Sequence, residues 1–290
     1  MGTFRERLNE LFERVEDLPT LPSVVLELER ALRDDATGAE DVARVMAQDP
    51  SLTATVLRVA NSAFYGAAAG TITSVPNAVA RLGFREVSRL CTSLAVIRTF
   101  EGVGRHLAHA EFWKHSLVAG IATRVIKKCS GEAHPFSEDE AYVSGLLHDV
   151  GTLVLDQYFP EVFLQIRTLA EEKSLAGATA ERAILKIDHG GIGALLLERW
   201  NFPQSIIQAV GWHHTPGDAA PEHRGLAQAV HLTEFICTDL GIGDGGDGGT
   251  EGFSDGAWHD LALSVDAIPD IIAQVTEEAS RCDALLALTS

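Results

Sequence analysis

The sequence predicts an all-α protein, and three observations support this class. Aliphatic residues and alanine dominate a chain that is 46% hydrophobic and only 7% aromatic, a mixture that favours helices over sandwiches and barrels. Apolar residues recur at steps of three and four along most segments, as on one face of a helix. No segment alternates in the way that is typical of a strand. We therefore expect a two-lobed multi-helix bundle.

The first half reads as an N-terminal helical lobe over residues 1–101. We predict its helices over residues 4–17, 24–33, 39–47, 50 to about 61, 76–83 and 84–100. Asp49 can cap the helix that begins at Pro50, and proline fits the first helical turn, so we expect a helix to start there. Gly83 is placed to end the helix that Pro76 opens.

The second half reads as a second helical lobe over residues 102–240. We predict its helices over residues 111–127, 138–150, 152–158, 161–173, 177–186, 190–199, 203–214 and 224–240. The first of these is apolar nearly all round, so we expect it to be central. Trp113, Trp200 and Trp212 are predicted to lie in the core or between the lobes.

The chain ends in two segments of different character. Residues 241–257 begin GIGDGGDGGTEG and are predicted to form a flexible Gly/Asp-rich surface loop. Their oxygen ligands do not match the spacing of an EF-hand calcium loop. Residues 258–290 are predicted to be a C-terminal helical extension, with a helix over about 266–287.

Charge and hydropathy disfavour two classes of binding partner, nucleic acids and membranes. The formal net charge of −18 disfavours binding to nucleic acid, because phosphate backbones are repelled. No stretch approaches the roughly 20 apolar residues of a membrane span, and the N-terminus lacks the apolar region of a signal peptide. The four cysteines are widely spaced, which suits a reducing compartment. We expect a cytoplasmic protein that binds neither nucleic acid nor membranes.

Histidines and carboxylates are concentrated within apolar runs of the second half. The group is His115, His148, Asp149, His189, His213, His214, His231 and Glu234. Burying several such groups without shared partners would be costly, so either a metal ion or a dense hydrogen-bond network is expected. Imidazole with carboxylate suits one or two ions of Fe, Mn, Zn or Ni. A carboxylate such as Asp149 could bridge two ions.

Several motifs are spread through both halves of the chain. Those of the first half are LPTLPSVV (18–25), QDPSLTATVLRVANSAFYG (48–66) and ITSVPNAVARLGF (72–84), and those of the second are FWKHS (112–116), GLLHDVG (145–151), ERWNFP (198–203) and HHTP (213–216). Together they resemble the HDOD family, a branch of the HD superfamily of helical metal-dependent phosphohydrolases. The resemblance covers about residues 15–240. It implies an HD-domain-like second lobe and a regulatory output module in signalling, with no general enzymatic activity.

The resemblance also implies a ligand set and partners. By similarity to the diiron HD-GYP phosphodiesterases, the metal-ligand positions are His115, His148, Asp149, His189, His213 and His214, with Glu234 where an Asp is usual. The implied partners are other signalling proteins, of a two-component or cyclic-dinucleotide pathway.

Two departures from the superfamily weigh against catalysis. The motif HDxGK has a phosphate-contacting lysine where this chain has Thr152, and TPGDAAPEHRG replaces the GYP segment. The favoured function is therefore a bacterial signal-transduction regulatory domain that acts through protein–protein contacts, with or without bound metal. The alternative is a metal-dependent phosphohydrolase of a nucleotide phosphoester, in which Asp149 would be catalytic. A plain helical scaffold with a hydrogen-bonded His/Asp cluster is the third hypothesis.

Overall fold

The structure is a computed structural model that describes residues 23–31, 37–62, 65, 72–100, 106–130, 134–243, 245 and 255–286. Among these residues the regular elements are α-helices and short 3₁₀ turns, and no strand is present. This confirms the predicted all-α class. The helix predicted over residues 4–17 lies outside the described residues. No described helix is both long enough and apolar enough to cross a membrane.

The described part of the first half consists of helices that are separated at capping residues and glycines. They are α1 (Ser23–Ala31), α2 (Ala39–Met46), α3 (Pro50–Ala60), α4 (Val75–Leu82) and α5 (Phe84–Thr99). Asp49 caps α3 as predicted, since its side chain accepts a hydrogen bond from the Leu52 N–H at 2.8 Å. Gly83 has a φ of +88°, which glycine adopts without strain, and this residue turns the chain from α4 into α5.

The second half is built around one long helix. Its helices are α6 (His109–Ser130), α7 (Glu138–Leu147), α8 (Val150–Tyr158), α9 (Pro160–Lys173), α10 (Gly177–Leu185), α11 (His189–Arg199), α12 (Gln204–Gly211), α13 (Arg224–Asp239), α14 (Asp255–Asp260) and α15 (Ile268–Leu286). Helix α6 is buried along most of its length and packs against α7, α13 and α15. The apolar character of this segment therefore correctly predicted a central helix.

The helix predicted over residues 138–150 ends three residues earlier than expected, and the helix predicted over 152–158 begins two residues earlier. Helix α7 ends at Leu147 and α8 begins at Val150, with a turn at His148 and Asp149 between them. A Cβ atom at Gly151 would overlap the His189 carbonyl oxygen, so α8 and the start of α11 are in direct backbone contact. This close approach brings Asp149 beside His189.

Helix α12 also ends earlier than predicted, at Gly211, and residues 212–214 form a turn. Trp113 and Trp200 are buried as predicted, but Trp212 is 39% exposed, so the prediction that it lies in the core or between the lobes is wrong. The reason is the turn, which places His213 inward and leaves the preceding Trp212 at the surface.

The two halves of the chain are joined by a buried ion pair. The guanidinium of Arg89 on α5 donates to Asp139 on α7 through Nε at 3.0 Å and Nη2 at 2.7 Å, and Arg85 also pairs with Asp139. The hydroxyls of Ser93 and Tyr142 lie 2.7 Å apart beside this pair. Helices α5 and α7 are thus held together, while the lobe boundaries proposed from the sequence stay a prediction.

Candidate metal centre

The seven residues that the family resemblance implies as metal ligands lie close together in the second half of the chain. They come from α6 (His115), the turn between α7 and α8 (His148 and Asp149), the first residue of α11 (His189), the turn after α12 (His213 and His214) and α13 (Glu234). Each is at most 9% exposed. They form two groups, each with its ligand atoms within 4.8 Å of one another. We call these groups the first group and the second group.

The first group consists of His115, His148, Asp149 and Glu234. Glu234 Oε2 lies 2.9 Å from both His115 Nε2 and His148 Nε2, and these two nitrogens are 3.2 Å apart. Asp149 Oδ2 lies 3.2 Å from His148 Nε2 and 3.5 Å from His115 Nε2. Two imidazoles and two carboxylates thus converge on one point.

The second group consists of His189, His213 and His214, and Asp149 connects it to the first. The other oxygen of this carboxylate, Oδ1, lies 3.1 Å from His189 Nε2 and 3.9 Å from His213 Nε2. His214 Nε2 lies 2.9 Å from His189 Nε2. The two oxygens of Asp149 thus contact both groups, while its role as a carboxylate shared by two metal ions stays a prediction.

Main-chain carbonyls fix the tautomer of three rings. The Nδ1 atoms of His115, His148 and His213 lie 3.2, 2.8 and 2.7 Å from the carbonyl oxygens of Ile242, Gly145 and Val210. A carbonyl oxygen only accepts, so each Nδ1 carries a hydrogen and donates it. In the neutral ring the lone pair is then on Nε2, which is the atom that faces the centre.

This tautomer leaves the first group in need of a cation. The Nε2 lone pairs of His115 and His148 would face each other and the Glu234 carboxylate at about hydrogen-bond distance. Protons can fill that role: burial disfavours the charged rings, but the Glu234 and Asp149 carboxylates outweigh it and raise the pKa of His115 to about 9 and of His148 to about 10. A metal ion would fill the same role.

Protonation does not satisfy the centre as a whole. Neither oxygen of Asp149 accepts a hydrogen bond of good geometry from the described residues, and His213 Nε2 has no such partner either. Both residues are 1% exposed. Buried polar atoms without partners are costly, and these three atoms all face the shared centre. Imidazole and carboxylate donors suit Fe, Mn, Zn or Ni, so the residues present fit a metal site.

The start of the predicted glycine-rich loop packs onto the first group. Ile242 supplies the carbonyl that holds His115, and Gly243 has a φ of +67°. A Cβ at Gly245 would overlap Asp149 Oδ2 and would lie 3.2 Å from His115 Nε2. The described residues of this segment are therefore contacts of the centre, which its glycine content alone did not indicate.

Two supporting residues lie outside the predicted ligand set. Glu181 on α10 is 2% exposed and its Oε2 lies 2.9 Å from His189 Nδ1. His231, which the sequence placed in the same apolar cluster, contacts the His213 carbonyl oxygen through Nδ1 at 2.8 Å. This contact stabilises the turn that contains His213. Thr152, the position of the superfamily lysine, is buried one turn after Asp149.

Comparison with known proteins agrees with the motifs. The family model described as the HDOD domain matches residues 18–216. An uncharacterized protein of Treponema pallidum (strain Nichols) is 26% identical over 218 residues, which is 75% of this chain and 42% of the relative. The chain thus spans less than half the length of that curated relative.

Solved structures share the fold. An HDOD domain protein of unknown function from Geobacter sulfurreducens is 26% identical with a TM-score of 0.79, covering 95% of this chain and 99% of that one. The "Putative signal transduction protein" of Marinobacter aquaeolei VT8 is 24% identical with a TM-score of 0.83, covering 99% of this chain and 65% of that one. The "Putative phosphohydrolase" of Shewanella amazonensis SB2B is 23% identical with a TM-score of 0.72, covering 95% and 97%.

The motifs of both halves, the all-helical architecture and a family model that matches most of the chain lead to one assignment: the chain belongs to the HDOD family.

Proposed function

We propose that this chain is a bacterial signal-transduction regulatory domain that acts through protein–protein contacts and holds transition metal in its His/Asp/Glu centre. The metal ligands would be the seven residues of the first and second groups. The metal would stabilise one arrangement of α6, α8, α11 and α13, because each of these helices contributes to or adjoins the centre. Its occupancy could then report the supply or redox state of the metal to a partner.

The observation that carries the proposal is the set of unpartnered atoms at the centre. Asp149 Oδ1, Asp149 Oδ2 and His213 Nε2 are buried at the centre, and none of them makes a hydrogen bond of good geometry among the described residues, although Asp149 lies 3.2 Å from His148 Nε2 and 3.1 Å from His189 Nε2. A plain hydrogen-bond network would satisfy these atoms with donors or acceptors. Metal ions held by the two groups would satisfy them, because a metal ion accepts lone pairs from both carboxylate and imidazole.

Regulation is favoured over turnover by the surroundings of the centre. The superfamily lysine that contacts phosphate is replaced by buried Thr152, so this position supplies no cation for an anionic substrate. Gly245 lies against Asp149 and His115 and restricts approach to the first group. The fold that the chain shares with a "Putative signal transduction protein" also supports a regulatory role, although this likeness is one of fold alone.

The test combines metal content with activity. The chain would be purified anaerobically, its bound Fe, Mn, Zn and Ni measured by elemental analysis, and the same preparation assayed on cyclic and linear nucleotide phosphoesters. We expect bound transition metal that is lost in His148→Ala, and no hydrolysis that depends on His148. Metal-free wild-type protein from anaerobic cells would contradict the proposal.

The alternative function is a metal-dependent phosphohydrolase acting on a nucleotide phosphoester. The specific observation in its favour is Asp149, whose two oxygens reach both groups, as in centres that hold two ions. Bound metal would supply an activated water and polarise a phosphoryl oxygen. Hydrolysis by the metal-loaded chain that His148→Ala abolishes would establish this alternative over the regulatory proposal.

A metal-independent scaffold is distinguished by separate variants. If the cluster served only as a hydrogen-bond network, His148→Ala and His213→Ala would each lower the free energy of unfolding without changing metal content. Loss of metal from a variant that remains folded, as judged by circular dichroism, would exclude that reading.

A further inference from the structure

His189 is held differently from the other rings with a defined Nδ1 contact in the centre. The Nδ1 atoms of His115, His148 and His213 donate to main-chain carbonyls. His189 Nδ1 instead lies 2.9 Å from Oε2 of Glu181. We infer that Glu181 is a positioning residue that orients His189 and strengthens its Nε2 as a ligand in the second group. This inference rests on the metal site of the proposed function.

Glu181 is committed to this contact by its surroundings. It lies on α10 with 2% of its surface exposed. The same oxygen accepts a second hydrogen bond, from the His189 main-chain N–H at 2.6 Å. Both recorded hydrogen bonds of this buried carboxylate therefore come from one residue. A carboxylate is seldom buried without a partner that needs its charge.

The carboxylate acts on the ring in two ways. It holds the hydrogen on Nδ1, so the lone pair of the neutral ring stays on Nε2, which lies 3.1 Å from Asp149 Oδ1. It also places negative charge behind the ring, which makes Nε2 a stronger donor to a metal. Main-chain carbonyls do the first but carry no full charge.

A purely structural role for Glu181 makes a different prediction. Glu181 could serve only to accept the first N–H of α11, while Asp188 caps the same helix through the Gly191 N–H at 3.0 Å and pairs with Arg182 at 2.6 Å. A glutamine at 181 would still accept an N–H through its amide oxygen. Glu181→Gln therefore separates the loss of charge from the loss of a hydrogen bond.

Glu140 offers a matched control. It also accepts a main-chain N–H at a helix start, that of Ser137 at 2.9 Å, and it contacts no residue of the centre in the recorded hydrogen bonds. Glu140→Gln therefore removes a half-buried carboxylate that likewise accepts an N–H at a helix N-terminus. A structural effect would appear in both variants, and an effect on His189 in only one.

The experiment is a Co²⁺ titration of the chelator-stripped full chain, followed by visible absorption and by competition with a chelator of known affinity. We expect two bound ions in wild type and in Glu140→Gln. In Glu181→Gln, one of the two should bind roughly 10–100-fold more weakly with a shifted absorption band, while the affinity of the other stays unchanged.

Several outcomes would overturn the inference. Two sites of wild-type affinity and spectrum in folded Glu181→Gln would do so, as would equal weakening in Glu140→Gln. If wild type binds no cobalt, the proposed function fails first and takes this inference with it. Should Glu181→Gln not fold, ¹⁵N NMR of the Zn²⁺-loaded wild type decides instead. A strongly downfield Nδ1 proton on His189 supports the contact, and an ordinary shift overturns it.

Discussion

The two groups of the centre differ in how their histidines carry charge. In the first group burial opposes protonation, but carboxylates outweigh it and raise the pKa of His115 to about 9 and of His148 to about 10. In the second group burial and the neighbouring imidazoles lower the pKa of His213 to about 4 and hold that of His214 well below its usual value. Only His189 has a raised pKa there.

The difference follows from the ratio of rings to carboxylates. The first group matches two imidazoles with Glu234 and one oxygen of Asp149, so protons alone can balance its charge. The second group has three imidazoles, and the carboxylates nearest to it, Asp149 and Glu181, both lie against His189. His213 Nε2 is left without a partner. The second group is therefore the stronger indication of metal, because protons cannot satisfy it.

The largest expected effect comes from Asp149, the one residue that serves both groups. Asp149→Asn should remove metal from both, since each loses a shared charged ligand. In the metal-free chain it should also lower the free energy of unfolding by about 3–5 kcal/mol, because buried imidazolium charge at His148 and His189 loses its counter-ion. Elemental analysis and denaturant unfolding measure the two effects.

Asp156 provides the control for this variant. It is also fully buried, and it accepts the His106 N–H at 3.1 Å about two turns further along α8. Asp156→Asn should lower stability while leaving the metal content as in wild type. If Asp149→Asn kept one full equivalent of metal, Asp149 would not be shared and the comparison of the two groups would have to be redrawn.

A smaller effect is expected from pH, and it has opposite signs in the two groups. The folded pKa values of His115 and His148 lie above that of an unfolded histidine, about 6.5. Their contribution to metal-free stability is therefore fully present below pH 6.5 and is lost as the pH rises through 9 and 10. His213 has a lowered folded pKa, so its contribution is present above pH 6.5 and is lost as the pH falls toward 4.

The metal-free chain should therefore be most stable near pH 6.5 and should lose stability as the pH moves away in either direction, as measured by urea unfolding across the range. Metal binding must displace the protons of the first group, so its affinity should rise with pH by up to roughly 100-fold per unit where two protons are released. A first-group affinity that is independent of pH between 6 and 8 would show that His115 and His148 are not protonated without metal.

Much of this centre was predictable because its ligands occupy motifs that are local in sequence. His148 and Asp149 lie in GLLHDVG and His213 and His214 in HHTP, and the structure brings them together with His115, His189 and Glu234. The helices were also predictable, because a cap such as Asp49 and a helix-ending residue such as Gly83 determine the backbone only of the few residues around them.

Contacts between distant segments could not be predicted in the same way. Helix α7 ends at Leu147 although the apolar pattern continues into α8, because the break depends on packing against α11. Glu181 lies in an ordinary amphipathic helix, and nothing local distinguishes it from a solvent-facing carboxylate. The glycines of residues 241–245 indicate an irregular segment, but composition carries no signal for the surface on which that segment lies.

The smallest predicted effect tests that last contact. A Cβ at Gly245 would overlap Asp149 Oδ2, so Gly245→Ala should displace the segment from the first group at a cost of about 1–3 kcal/mol. Because about 1.4 kcal/mol corresponds to a factor of ten, a chelator should extract metal from the first group roughly tenfold faster. The second group, which Gly245 does not contact in the recorded geometry, should release metal at the wild-type rate.

Gly217→Ala is the matched control, since a Cβ there would meet no atom within 4 Å. Its extraction rates should equal those of wild type. Equal acceleration at both groups in Gly245→Ala would mean that the whole centre had loosened and that access to the first group is not separately restricted. Acceleration at the first group alone would mean that the two groups differ in access to the chelator as well as in charge. The first group, whose imidazoles are matched by carboxylates, would then be the one that the backbone at Gly245 covers.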